Sequence, residues 1–204
     1  MDAQPAAPAI RRPTRRAGSP GRRTTLVVMA VTTGLIVAAA YLANRPGDSI
    51  GLTQVNLTGT PQGPAPLVGQ AAPTFSAKLV DGTSISLDDL RAKVVWLTFG
   101  ASWCQPCRSE NPDILAAYEA FKDRGVVVVQ VFMQEDQVAV RDYAARVGLT
   151  YLQIPDPAAR LSTEYRILGI PTHFFIGRDG VLREMKVGTM TRPDMTQVLS
   201  GLAG

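Results

Sequence analysis

A buried-strand pattern of seven residues, Lys93-Val-Val-Trp-Leu-Thr-Phe99, runs almost directly into Trp103-Cys104-Gln105-Pro106-Cys107, and a helical pattern follows from about Pro106 to Lys122. Strand, loop and helix in that order put two thiols at the opening of a helix. The first is predicted to stand exposed at the positive end of the helix dipole, where a thiolate is favoured and the sulfur is nucleophilic at neutral pH. The second lies one turn in and is expected to be more buried. These are the chain's only two cysteines, so a separate structural disulfide is excluded and all sulfur chemistry falls on one exchangeable pair.

The rest of the chain from Val68 onward reads as one domain of 137 residues. Phe75 to Val80 and Thr83 to Leu87, joined by Asp81-Gly82, have the pattern of a β-hairpin. Gly125 to Met133 is continuous and β-branched, as expected of a strand covered on both faces. Helices are predicted over Asp136–Val147, Pro157–Tyr165 and Met195–Leu202, and the first helix is expected to bend near Pro112. Further strands are predicted over Thr150–Ile154, Thr172–Ile176 and Val181–Val187, the last two forming a second hairpin about Arg178-Asp179-Gly180. This alternation is that of an α/β domain, a central mixed sheet with helices on both faces.

Charge and hydropathy organise the N-terminal third. Of the net charge of +4, residues 1–23 supply six arginines against one acid, so the globular remainder is close to neutral and gives no reason to expect a nucleic-acid partner. That basic tail reads as disordered. Thr24 to Ala43 is uncharged over twenty residues, about 30 Å as a helix, the thickness of a bilayer's hydrocarbon core. With the arginines before it, the expectation is a transmembrane anchor leaving the N-terminus in the cytoplasm and the following domain outside. A cleaved signal peptide ending near Ala38-Ala39-Ala40 is the alternative. No cysteine follows the run, which excludes a lipoprotein anchor. Asn44 to Leu67 holds four Gly and four Pro in 24 residues and is predicted to be a linker reaching roughly 25–30 Å as a flexible coil.

The portion from Leu67 to the C-terminus resembles thioredoxin-like thiol–disulfide oxidoreductases, specifically the AhpC/TSA-related, membrane-anchored TlpA/ResA type. The residues that carry the resemblance are Val68-Gly69-Gln70-Ala71-Ala72-Pro73, the first hairpin, Asp88-Asp89-Leu90, Trp-Cys-Gln-Pro-Cys-Arg, and Gly169-Ile170-Pro171-Thr172. It implies a thioredoxin-like fold with an N-terminal β-hairpin and a central helix–strand insertion over 134–154. It implies that Cys104 attacks a substrate disulfide and Cys107 resolves the mixed disulfide. Glu110, one helical turn past Cys107, takes the position of an active-site acid; its bland alternative is an acid complementing the helix N-terminus. Thr98 stands where ordinary thioredoxins have a buried aspartate.

Pro171 is expected to be cis, leaving the Ile170 main chain free to hydrogen-bond an extended substrate. Trp103 is expected to shield Cys104 and to offer substrate an apolar surface. Arg108 is read as a solvated arginine and His173 as a packed strand residue. The implied partners are exported protein thiols and disulfides, such as apocytochrome c or copper-site cysteines, and an integral-membrane dithiol carrier; the soluble domain is expected to be monomeric, with no cofactor and no metal.

Four other chemistries bear on a cysteine pair of this kind. The same pair serves an oxidant as well as a reductant, since only the relative stability of thiolate and disulfide decides direction. Zinc needs two more ligands and only His173 is at hand. A peroxidatic cysteine would want proline and Thr/Ser where Leu97 and Ala101 stand. A copper carrier of this fold would use a longer Cys-x-x-x-Cys spacing.

Overall fold

The computed structural model describes residues 21–43 and 51–204. The basic tail up to residue 20 and the start of the expected linker, 44–50, lie outside the described residues. The chain divides into two units, 1–47 and 48–204.

In the first unit, α1 (Arg22–Ala43) turns the uncharged run into a helix. Side chains are described without interruption from 25 to 39; all of them are exposed and none carries a charge. Fifteen residues span only about 22 Å. Among the described residues no helix is long and apolar enough to cross a membrane; the remainder of the predicted span falls on side chains outside those described.

The second unit opens with β1 (Thr53–Gln54), followed by β2 (Ser76–Lys78) and β3 (Ser84–Ser86), which pair antiparallel as the predicted hairpin. Then come β4 (Val94–Gly100), α2 (Gln105–Phe121), β5 (Val126–Met133), α3 (Gln137–Val147) and β6 (Leu152–Asp156). The chain ends with α4 (Arg160–Glu164), β7 (Gly169–Ile170), β8 (Thr172–Ile176), β9 (Leu182–Val187) and α5 (Arg192–Leu202). The main sheet has the order β6-β5-β4-β8-β9. β4 runs parallel to β5 and antiparallel to β8, so the sheet is mixed, as expected.

Every residue of β4 is buried, because the strand is central and both its faces are covered. The period of two sorts its side chains into two cores. Val95, Leu97 and Phe99 face a cluster with the hairpin, Phe174 and the two cysteines. Val94 and Trp96 face a second cluster with Ile114, Ala117 and Phe121 of α2 and Met195 and Leu199 of α5. The sheet is therefore the wall behind the cysteine loop, and the turn from β4 into α2 has little room to move.

Pro112 lies within α2. Three local predictions differ from what forms. The strand predicted over Thr150–Ile154 forms two residues later. Pro157 does not open a helix: the buried Asp156 carboxylate accepts the Arg160, Leu161 and Ser162 N–H groups and the Ser162 hydroxyl, which starts α4 only at Arg160. α5 begins three residues before the predicted Met195, because Thr191 and Asp194 form a reciprocal capping box.

The largest departure concerns the expected linker. From Gly51 on it lies against the domain, with β1 paired antiparallel to β7, Thr53 opposite Ile170 and Gln54 opposite Gly169.

Candidate active site

α2 is amphipathic through Cys107, Glu110, Asn111, Ile114, Ala117 and Phe121, all buried. That spacing aims one face at the sheet and carries Cys107 and Glu110 inward together. Cys104 is the N-cap: its sulfur accepts the Cys107 N–H at 3.2 Å. Pro106 sits in the first turn, where a missing N–H costs nothing because that donor has no partner within the helix. The two cysteines are joined in a disulfide with Cα atoms 5.3 Å apart. When the pair is reduced, the helix N-terminus and the Cys107 N–H both favour the anion on Cys104.

Cys104 is nevertheless only 1% exposed, against 2% for Cys107. This corrects the expectation that the first thiol stands open to solvent. The Thr53 hydroxyl oxygen lies 3.7 Å from Cys104 Sγ. Gly51 passes so close that a Cβ there would stand 3.3 Å from Pro106 Cβ. The chain's own N-terminal segment covers the nucleophile.

The Ile170–Pro171 peptide is cis, as predicted, and brings the Ile170 carbonyl oxygen to 3.9 Å from Cys104 Sγ. The Ile170 main chain is not free, however, since β1 has taken its pairing edge. Trp103 is 45% exposed beside the pair, half-open surface rather than core. Gly100, at the end of β4, is a close-approach glycine: a Cβ there would come 3.1 Å from Gln130 Nε2 and 3.4 Å from Cys107 Cβ.

Behind the sulfurs lies a polar floor. Tyr151 donates to Gln130 Oε1 at 2.8 Å, and Asn111 Nδ2 donates to the Tyr143 hydroxyl at 2.9 Å. Burial holds the Tyr151 phenol well above its ordinary range, so it remains a donor.

Glu110 is buried, and its Oε1 accepts the Met190 N–H at 2.6 Å. His173 is fully buried across from it, its Nε2 3.3 Å from the same oxygen. Trp96 Nε1–H donates to His173 Nδ1 at 3.3 Å, and the Thr98 hydroxyl lies 3.0 Å from that nitrogen. Nδ1 is thus the acceptor and the ring proton sits on Nε2, facing the carboxylate. The approach is close but is not a hydrogen bond, and among the described residues Glu110 Oε2 has no hydrogen-bond partner.

A second buried acid, Glu135, accepts the Ser102 N–H at 2.6 Å and also bonds its hydroxyl, fixing the loop just before Trp103. Arg108, by contrast, turns to the Ser102 carbonyl and Gln105 and remains exposed. Among the described residues no three His, Cys, Asp or Glu side chains converge as a metal site would require.

The structure thus brings Cys104, Cys107, Trp103, Ile170 and Pro171 together and places Glu110 behind them. Sequence reasoning missed Glu135 and Thr53, and it did not pair His173 with Glu110. For His173 a signal existed: it is two residues past Pro171 on a strand beside β4. Glu135 and Thr53 reach the loop from 33 and 51 residues away and carry no motif.

A disulfide at a helix N-terminus, facing a cis-proline just before an inner strand of a mixed sheet, defines a thioredoxin-fold protein disulfide oxidoreductase. The model of the AhpC/TSA family matches residues 68–185. The chain is 33% identical over 135 residues to thiol-disulfide oxidoreductase ResA of Geobacillus kaustophilus, covering 66% of this chain and 78% of that protein. It is 35% identical over 133 residues to the thioredoxin-like protein YneN of Bacillus subtilis, covering 64% and 78%. Among solved structures, a thiol:disulfide interchange protein of the thioredoxin family from Chlorobium tepidum superposes with a TM-score of 0.61 at 29% identity, covering 69% of this chain and all of that one. The chain belongs to the AhpC/TSA family, as a thiol–disulfide oxidoreductase of the TlpA/ResA type.

Proposed function

We propose that this protein is a membrane-tethered reductase that acts on disulfides of exported proteins, with apocytochrome c or copper-site cysteines as the substrates its resemblance suggests. The observation that carries the direction is electrostatic. Two buried carboxylates, Glu110 and Glu135, stand by the cysteine loop, while Arg108 is exposed and spends its donors on the Ser102 carbonyl and Gln105. The helix N-terminus selects which sulfur ionises, and the acids set the balance between redox states. An anion beside a thiolate raises the cost of the reduced pair, which makes the pair a better electron donor.

The reaction runs as two thiol–disulfide exchanges. The Cys104 thiolate attacks one sulfur of the substrate disulfide; a new S–S bond forms and the other substrate sulfur leaves as a thiolate and takes a proton. Cys107 gives its proton to Glu110, directly or through water, and its sulfur attacks Cys104 Sγ. The mixed disulfide breaks, the second substrate thiol is released, and the Cys104–Cys107 bond is restored. Two electrons and two protons have passed to substrate. An integral-membrane dithiol carrier then reduces the pair by the same exchange in reverse. Trp103, Ile170 and Pro171 line the approach. The domain works outside the cytoplasm, held there by the apolar segment 24–43.

The test is the reduction potential of the Cys104–Cys107 pair in the full chain, equilibrated against dithiothreitol or glutathione buffers. A value near or below about −250 mV, close to thioredoxin's, is expected; a value near about −120 mV would make the protein an oxidant and overturn the direction.

A further inference from the structure

The segment expected to hold the domain away from the membrane instead lies across its active site. Val55 N–H donates to the Leu168 carbonyl at 3.1 Å, continuing the pairing of Thr53 with Ile170 and Gln54 with Gly169. The segment alternates as a strand should. Thr53, Val55 and Leu57 are partly buried, whereas Gln54, Asn56 and Thr58 are exposed. Val55 and Leu57 pack against the core cluster that contains Cys104, Cys107 and Ile170. Leu52 fills the space beside Gly169, where a Cβ would stand 2.7 Å from its Cδ1.

The far end is fastened separately. The Glu164 carboxylate accepts the N–H groups of Gln62 and Gly63 at 3.0 and 2.9 Å, and Arg166 donates to the Gly63 carbonyl at 3.0 Å. These contacts give the segment one register over the disulfide.

We propose that residues 51–58 are an intramolecular pseudosubstrate. This rests on the thiol–disulfide reading of the Cys104–Cys107 pair and extends it to how a substrate is read. An incoming extended polypeptide pairs antiparallel with Gly169–Ile170, and its reacting cysteine takes the place of Thr53, opposite Ile170 and over Cys104 Sγ. Side chains two and four residues further on fall where Val55 and Leu57 now lie, so aliphatic residues there are favoured. Substrate and segment compete for one edge, and the nucleophile is accessible only when the segment has left. Its docked fraction lowers the apparent reactivity of the pair toward every partner.

Two variants of the full chain test this. V55D/L57D places carboxylates on the packed face of the segment and leaves the domain's own residues untouched. Its oxidised form is expected to react with dithiothreitol about tenfold faster than the parent or more, and its reduced form to reduce insulin faster by a similar factor. Rates within twofold of the parent overturn the proposal.

T53C tests the register. The introduced thiolate attacks Cys104 Sγ, one S–S bond forms as the Cys104–Cys107 bond breaks, and Cys107 leaves as a thiolate that takes a proton. No outside oxidant is needed. Alkylation and peptide mapping are expected to find position 53 bonded to Cys104 and the alkyl group on Cys107; a free thiol at position 53 beside an intact Cys104–Cys107 disulfide overturns the register. If neither parent nor variant exchanges with dithiothreitol or insulin, the oxidoreductase reading falls, and with it the pseudosubstrate.

Discussion

Replacing Glu110 with glutamine separates the acid's chemistry from its place in the packing. In the parent, Oε1 takes the Met190 N–H and Oε2 has no hydrogen-bond partner among the described residues. A glutamine keeps the acceptor oxygen and sets its amide group where nothing is lost, so E110Q is expected to stay within about 1.5 kcal/mol of the parent in stability. Glu110→Leu removes the acceptor and strands the Met190 N–H in the interior, a cost of about 1–3 kcal/mol. The kinetic effect should rank differently. Losing a positioned proton acceptor costs typically about 10²–10⁴-fold, and both variants lose it. The assay is stopped-flow reaction of the reduced protein with an aromatic disulfide that releases one coloured thiolate at each step. The first equivalent reports the attack by Cys104 and the second its resolution by Cys107. Both variants are expected to release the first at near the parental rate and the second about 10²-fold more slowly at neutral pH. A second equivalent released at the parental rate by E110Q would refute a proton-transfer role. Slowing confined to Glu110→Leu would assign the residue to packing alone.

Three further outcomes are expected. Asp156→Ala leaves three N–H groups of the α4 turn without their acceptor; the loss should be about 3–5 kcal/mol by urea unfolding, and a change below about 1 kcal/mol would show that water or another group replaces the carboxylate. Gly100→Ala should destabilise by about 1–3 kcal/mol through crowding of Gln130 and Cys107, measurable in the same way. The third concerns pH. The Gln62 and then the Gly63 N–H groups hold Glu164 below its ordinary value of 4.5, with Arg166 and Arg160 adding to the effect. Because the docked value is the lower one, the anchor is fully present above about pH 4.5 and is lost as pH falls through the docked value. Hydrogen exchange at the Val55 amide, corrected for intrinsic rate, should therefore quicken on acidification in the parent and vary less in Glu164→Gln; equal pH dependence in the two would remove Glu164 from the anchor.

The elements read from local pattern are those whose physics is local. The strand 93–99 is continuous and apolar because it is buried on both faces, and Asp81-Gly82 supplies a turn that its own residues can adopt. The cysteines lie three residues apart at a helix opening, so their disulfide needs nothing from the rest of the fold. The α4 start was misplaced because Pro157 is a genuine local signal that the buried Asp156 carboxylate overrides. The capping box of Thr191 and Asp194 is a local signal in the sequence and sets the start of α5.

What the chain's order of residues determined by itself is a dithiol at a helix N-terminus in a mixed α/β sheet, with a proline to face it. Tertiary structure decided the rest. It set Glu110 against His173, bound Ser102 to Glu135, and laid Thr53 on Cys104. Each of these joins residues 33 to 63 positions apart, and nothing in a periodicity or a short motif encodes such a meeting. Composition marked 44–67 as a linker because glycine and proline are poor at building helices and sheets. It could not register that a two-residue strand, a few aliphatic side chains and one carboxylate are enough to hold residues 51–63 down once a matching edge is there.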